Sequence, residues 1–173
     1  MLLRFRDSLV SEGAGVGVDV ELPWGTMPAV IVELAMVLAT KASESARHAQ
    51  RIKWPAEPGD IQDQLRLAIG DAHKITKAGT DLRALLSAYA HRFHTPRPVI
   101  SDLARAQDTS SQGFIRRYSE GTVDAVHSLL SESPDVRLII DAFPSVSMRD
   151  LGDLGGSVGQ AAREAMKVSD NPR

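Results

Sequence analysis

Between Pro28 and Pro55 the apolar residues follow a single spacing. Val30, Ile31, Leu34, Val37 and Leu38 recur at i, i+3 and i+4, and the same face continues through Ser45, Ala49 and Ile52. That is the period of an amphipathic helix, not of a strand. Pro28 suits a first helical position, with Thr26 as an acceptable cap. Trp54-Pro55-Ala56-Glu57-Pro58-Gly59 ends the run, because proline cannot continue a helix. The spacing therefore predicts one long helix over residues 28–53, and a chain built around it is mainly α. The most apolar part, residues 27–39, contains Glu33 and spans 13 residues. A membrane-spanning helix needs about 20 apolar residues, so this segment predicts a buried helix, no membrane partner and a cytoplasmic protein.

The remaining punctuation predicts shorter helices. Asp60 caps a helix with Ile61, Leu65, Ala68, Ile69 and Ala72 on one face. Gly79 interrupts it, and Thr80 caps a second helix over 81–93 carrying Leu82, Leu85, Leu86 and Tyr89. Thr95-Pro96-Arg97-Pro98 is a stiff link, and the best boundary between a front and a back half. Beyond it Ser101 caps 102–107, Ser110 caps 111–118, Thr122 caps 123–130 and Pro134 opens 135–143. After Pro144 the chain turns polar and glycine-rich, a tail with a last helix over 157–167. At the other end, Leu3-Arg4-Phe5 and Val18-Asp19-Val20-Glu21-Leu22 predict an N-terminal β-hairpin, with a flexible arm as the alternative. The expected organisation is an arm or hairpin over 1–27, a helical scaffold or dimerisation region over 28–95, a compact helical unit over 96–143, and a tail over 144–173.

Composition narrows function mainly by exclusion. A chain of 173 residues fits one ordinary domain. It has no cysteine, which removes disulfide scaffolds, thiol nucleophiles and cysteinate metal sites. The net charge of −2 argues against a globally basic nucleic-acid coat protein. The charge is uneven, however. Residues 79–118 hold 6 basic and 3 acidic side chains, whereas residues 119–173 hold 5 basic and 9 acidic. The basic surplus lies over the proline link and the two helices after it.

That basic segment contains Leu103-Ala104, then Asp108, Ser110 and Phe114 at fixed intervals. The spacing resembles the helix-turn-helix of DNA-binding regulators over about residues 100–130. A small Ala lets two helices cross closely, the turn residue must tolerate a left-handed backbone, Ser caps the second helix, and an apolar anchor holds it down. Departures are Asp108 where Gly is usual, Thr109 where a larger apolar residue is usual, Gly113 within the second helix, and Arg117 where an apolar residue often packs. Phe114, Ile115 and Tyr118 share one face, expected to point inward; Gln112 and Arg116 share another. The resemblance implies that Gln112 and Arg116 read base edges in double-stranded DNA. It implies that Arg97, Arg105, Ser110, Ser111 and Arg117 hold phosphate. A single recognition helix reads few base pairs, so a homodimer is expected, with the long first helix as the dimer or core helix.

Weaker signals carry less. His91 and His94 stand at i, i+3 without a third ligand at metal spacing and are expected to be ordinary helix-end residues. Gly13, Gly15 and Gly17 lead into a strand, not into the helix a phosphate loop needs. Ser, His and Asp occur in no nucleophile-elbow pattern, so no enzyme activity, cofactor or metal is expected. The alternative is a non-enzymatic protein-protein interaction module, an adaptor or antitoxin-like protein, using the apolar face of residues 27–39 or the acidic C-terminal part for its partner.

Overall fold

The computed structural model describes residues 26–54 and 61–169, and these form eight helices with no strand. The hairpin expected within residues 1–27 lies outside the described residues. Helix α1 spans Ala29–Gln50. Pro28 is its cap, not its first residue: its extended backbone lets its carbonyl accept from the Ile31 and Val32 N–H groups at 3.0 and 3.2 Å. Thr26 plays no capping part. Ile31, Leu34 and Leu38 are fully buried, the i, i+3, i+7 stripe of a core-facing helix.

Helix α2 spans Ile61–Arg92 without a break. Gly79, expected to divide it, sits within the helix with nothing within 4 Å of where a Cβ would be, as does Gly70. One glycine costs about 1 kcal/mol of helix propensity, too little to end a helix that is packed on both sides of it. The helix runs antiparallel to α1. His48 of α1 meets Asp71 near the outer end, while Leu34 and Leu38 share the core with Leu85 and Tyr89. Asp71 is buried and also faces Lys74 at 3.7 Å. The face expected to pack in the first half of α2 does not: its large residues Ile61, Leu65 and Ile69 are exposed, Ile69 to 67 %. The other described elements pack against the inner half of this long hairpin.

Those elements are α3 (Ile100–Arg105), α4 (Ser111–Ile115), α5 (Glu120–Leu129), α6 (Val136–Ala142), α7 (Met148–Gly152) and α8 (Gly156–Ser169). Helix α5 starts three residues before the expected position, because Ser119 is its cap and Thr122 closes a capping box with it. Asp135 caps α6 through the Arg137 and Leu138 N–H groups. The segment beyond Pro144 is structured through Ser169. Leu151, Leu154, Val158 and Ala162 enter the same core as α1, α2, α5 and α6. Its glycines are structural. At Gly159 a Cβ would lie 1.9 Å from the Leu154 carbonyl oxygen, and Gly156 has φ +64°, a backbone region open chiefly to glycine. Polar contacts pin this unit to the hairpin: Lys41 to Asp150 at 2.9 Å, Glu33 to the Gly155 N–H at 3.0 Å, and Asp81 to the Ser145 N–H at 2.8 Å. No described helix is long and apolar enough to cross a membrane.

Candidate nucleic-acid interface

Helices α3 and α4 form a tight hairpin against the C-terminal end of α2. Ile100 to Arg105 form barely more than a turn and a half, capped by the Val99 backbone alone; Ser101, the expected cap, lies inside the helix. The chain then reverses through Asp108, the one described non-glycine residue with positive φ, at 48°. Asp tolerates this left-handed region better than most residues because its short side chain can bond locally. The Thr109 N–H reaches back to the Ala104 carbonyl at 3.0 Å and closes the turn. Ser110 caps α4 by accepting from the Gly113 N–H at 3.0 Å. Ala104 and Phe114 are buried at 2 % and 1 % exposure, so the small residue and the apolar anchor of the motif both face inward.

Gly113 has a specific reason. A Cβ there would lie 2.1 Å from Thr109 Oγ1, so no side chain fits while the Thr109 hydroxyl keeps its place. The same crowding accompanies a short α4. The helix stops at Ile115, not near Tyr118, and the chain must extend at Ser119 to cap α5. Ile115, expected to face inward, is 43 % exposed. The Arg116 N–H still bonds the Gln112 carbonyl at 3.3 Å, so Gln112 and Arg116 remain one helical turn apart on the outer side.

All seven expected contact residues are exposed: Arg97, Arg105, Ser110, Ser111, Gln112, Arg116 and Arg117. The hairpin brings Arg105, Ser110 and Ser111 around one shallow cleft, which Asp108 also lines. Arg105 is engaged by Asp102 at 3.1 Å, and the Ser110 hydroxyl is committed to its cap. Among the described residues, Arg97, Arg116 and Arg117 form no ion pair. The free cations of this surface are therefore on the link and just past α4, not on α3.

His91 and Tyr118 hold α4 in place. The Tyr118 hydroxyl bonds His91 Nδ1, and the His91 ring stands edge-on to Phe114 with centroids 6.4 Å apart. Burial pushes His91 below its ordinary value, and Arg92 and Arg97 add to this. His94 turns the other way and bonds the Tyr89 hydroxyl at 3.2 Å. The two histidines thus serve separate contacts. Sequence reasoning missed His91 as a support because its partner lies 27 positions away; the only local signal was two aromatic residues four apart at 114 and 118. Compared with protein-family models, curated proteins and solved structures, the chain matches none.

Proposed function

We propose that this chain is a small, non-enzymatic DNA-binding protein, a transcriptional regulator or DNA-binding accessory factor, that presents the α3–α4 hairpin to double-stranded DNA. One observation carries the reading: a left-handed turn at Asp108 joins two helices that cross over buried Ala104 and Phe114, leaving Gln112 and Arg116 on the outer side. Gln112 and Arg116 read base edges in the major groove, since their side chains make bidentate pairs with adenine and guanine. Arg97, Arg105 and Arg117 hold phosphate, with the Ser110 and Ser111 hydroxyls beside them. A helix as short as α4 reads few base pairs, so two copies act together. The exposed Ile61, Leu65 and Ile69, at i, i+4 and i+8 on α2, supply an apolar stripe for a homodimer.

The test is an anisotropy titration of random-sequence and native-genome duplex DNA at two salt concentrations. The reading expects binding that weakens steeply with salt, as phosphate contacts require. It expects Arg116→Ala to remove sequence preference at about 1–3 kcal/mol, and Arg116→Ala with Arg117→Ala to abolish binding. Absence of binding at low salt overturns it.

The same α2 stripe favours a second reading, a protein-protein interaction module. Its surface would be Ile61, Leu65 and Ile69, because Ile31, Leu34 and Leu38 of the 27–39 face and Leu151, Leu154 and Val158 of the C-terminal part are spent in the core. An apolar interface of this kind is insensitive to salt, which separates the two readings.

A further inference from the structure

We propose that Ser119 is a phosphorylation site for an arginine-directed protein kinase, and that the phosphate switches off the DNA surface beside it. Arg116-Arg117-Tyr118-Ser119 is the whole connection between α4 and α5. Kinases of this class hold a substrate by guanidinium groups two and three positions before the acceptor hydroxyl, through charge-assisted bonds to their own carboxylates. Among the exposed described serines, Ser119 alone has arginine within the three residues before it. Arg116 and Arg117 are both exposed, and neither forms an ion pair among the described residues. Ser119 is exposed in extended backbone, with φ −101° and ψ 169°. In its cap the Ser119 Oγ serves as an acceptor, from the Thr122 N–H at 3.2 Å.

The step is a phosphoryl transfer from a nucleoside triphosphate. Ser119 Oγ bonds the γ-phosphorus, the bond from that phosphorus to the β–γ bridging oxygen breaks, and the diphosphate leaves. The hydroxyl proton passes to the kinase's carboxylate base. The product carries about −1.5 to −2 charges at pH 7 and three acceptor oxygens. Arg117 and Arg116 precede Ser119 by two and three residues, so their Cα atoms lie within about 7 and 11 Å of it. Both side chains are long enough to cover that span and be neutralised by the phosphate. Glu120 is the like-charged neighbour that opposes this, and it already faces Arg92 at 3.9 Å. The cap survives, because the phosphoryl oxygens accept from the same first-turn N–H groups of the ten-residue α5. The modification stands independently of the DNA reading; its effect on affinity rests on that reading, in which Arg116 reads bases and Arg117 holds phosphate.

The full chain is incubated with Mg-ATP and the catalytic subunit of cyclic-AMP-dependent protein kinase, and the modified residue is mapped by mass spectrometry. The proposal expects transfer to Ser119 that Ser119→Asn abolishes. Arg116→Ala with Arg117→Ala should slow the transfer by about tenfold or more. Asparagine caps a helix about as well as serine, so Ser119→Asn should keep the melting temperature. No transfer, or transfer chiefly to another residue, overturns the site. DNA anisotropy is then measured on the unmodified, phosphorylated and Ser119→Asn chains. The phosphorylated chain should bind weaker by about tenfold or more, with a salt dependence shallower by about one to two phosphate contacts. Ser119→Asn should bind like the unmodified chain. Equal affinities of the phosphorylated and unmodified chains overturn the switch. If the unmodified chain binds no DNA, the DNA reading and the switch both fall, while transfer mapped to Ser119 still supports the site.

Discussion

The hydroxyl of Tyr118 and Nδ1 of His91 share a hydrogen bond that joins the residues after α4 to the last turn of α2. Burial raises the Tyr118 phenol; Arg92 opposes this and Glu120 adds to it. Tyr118 therefore keeps its proton at neutral pH. His91 is held low by burial, Arg92 and Arg97, so the folded chain takes up its proton less readily than the unfolded chain. A histidine depressed in this way favours the folded state above the unfolded value, near 6.5, and this preference is lost as pH falls from there through the lower folded value. The melting temperature should drop as pH falls below about 6.5, and His91→Gln should flatten that drop. Identical pH profiles for the two proteins would show that His91 does not carry the effect.

The long α2 is weakened by two glycines that nothing surrounds. Gly70→Ala and Gly79→Ala meet no atom within 4 Å and sit in helical backbone. Each should stabilise by about 0.5–1 kcal/mol, by narrowing the unfolded ensemble and raising helix propensity. Urea melts of the single and double variants check both the sign and the additivity expected of sites nine residues apart.

Alanine at Gly113 should act in the opposite sense despite its better helix propensity. Its Cβ would overlap Thr109 Oγ1, and the turn would open. Thr109→Ala removes the overlapping atom, so the double variant should recover most of the stability lost by Gly113→Ala alone. Gly159→Ala has no such remedy, because the atom it meets is the Leu154 carbonyl oxygen. It should be the most destabilising of the four glycine substitutions in thermal melts, as backbone cannot move out of the way by changing rotamer.

Asp102 restrains Arg105 at 3.1 Å in a pair that is mostly exposed on both sides. Such a pair contributes little to stability, so Asp102→Asn should leave the melting temperature nearly unchanged. It should raise DNA affinity equally on all sequences and steepen the salt dependence by about one phosphate contact. Arg97→Ala should do the reverse. Anisotropy at several salt concentrations measures both, and a sequence-dependent effect of either would reassign the residue to base reading.

The exposed α2 stripe makes a separable prediction. Leu65→Glu with Ile69→Glu removes two side chains that are 44 % and 67 % exposed, so the fold should tolerate the change. If two copies meet along this stripe, sedimentation equilibrium should show the mass fall from dimer to monomer.

Much of this fold was legible from local chemistry. The α1 period from Val30 to Leu38, the Ser110 cap, the Asp108 reversal and the Ala104–Phe114 crossing all follow from choices made within a few residues, where propensity and capping act. The sequence by itself determined a mainly helical chain with a tight helical hairpin after the proline link. Other features required partners far along the chain. Tertiary packing carried α2 through Gly79, since helical stability comes mostly from the packed face. It drew Leu151, Leu154 and Val158 into the core beside Leu34 and Leu85, and so placed α7 in a glycine-rich stretch where only the last helix, α8, was expected. It left Leu65 and Ile69 uncovered although their spacing is that of a buried face. Periodicity states which side of a helix is apolar; only the arrangement of the other elements decides whether anything covers it, and likewise whether His91 meets Tyr118 or Gln107 keeps an acceptor without a partner.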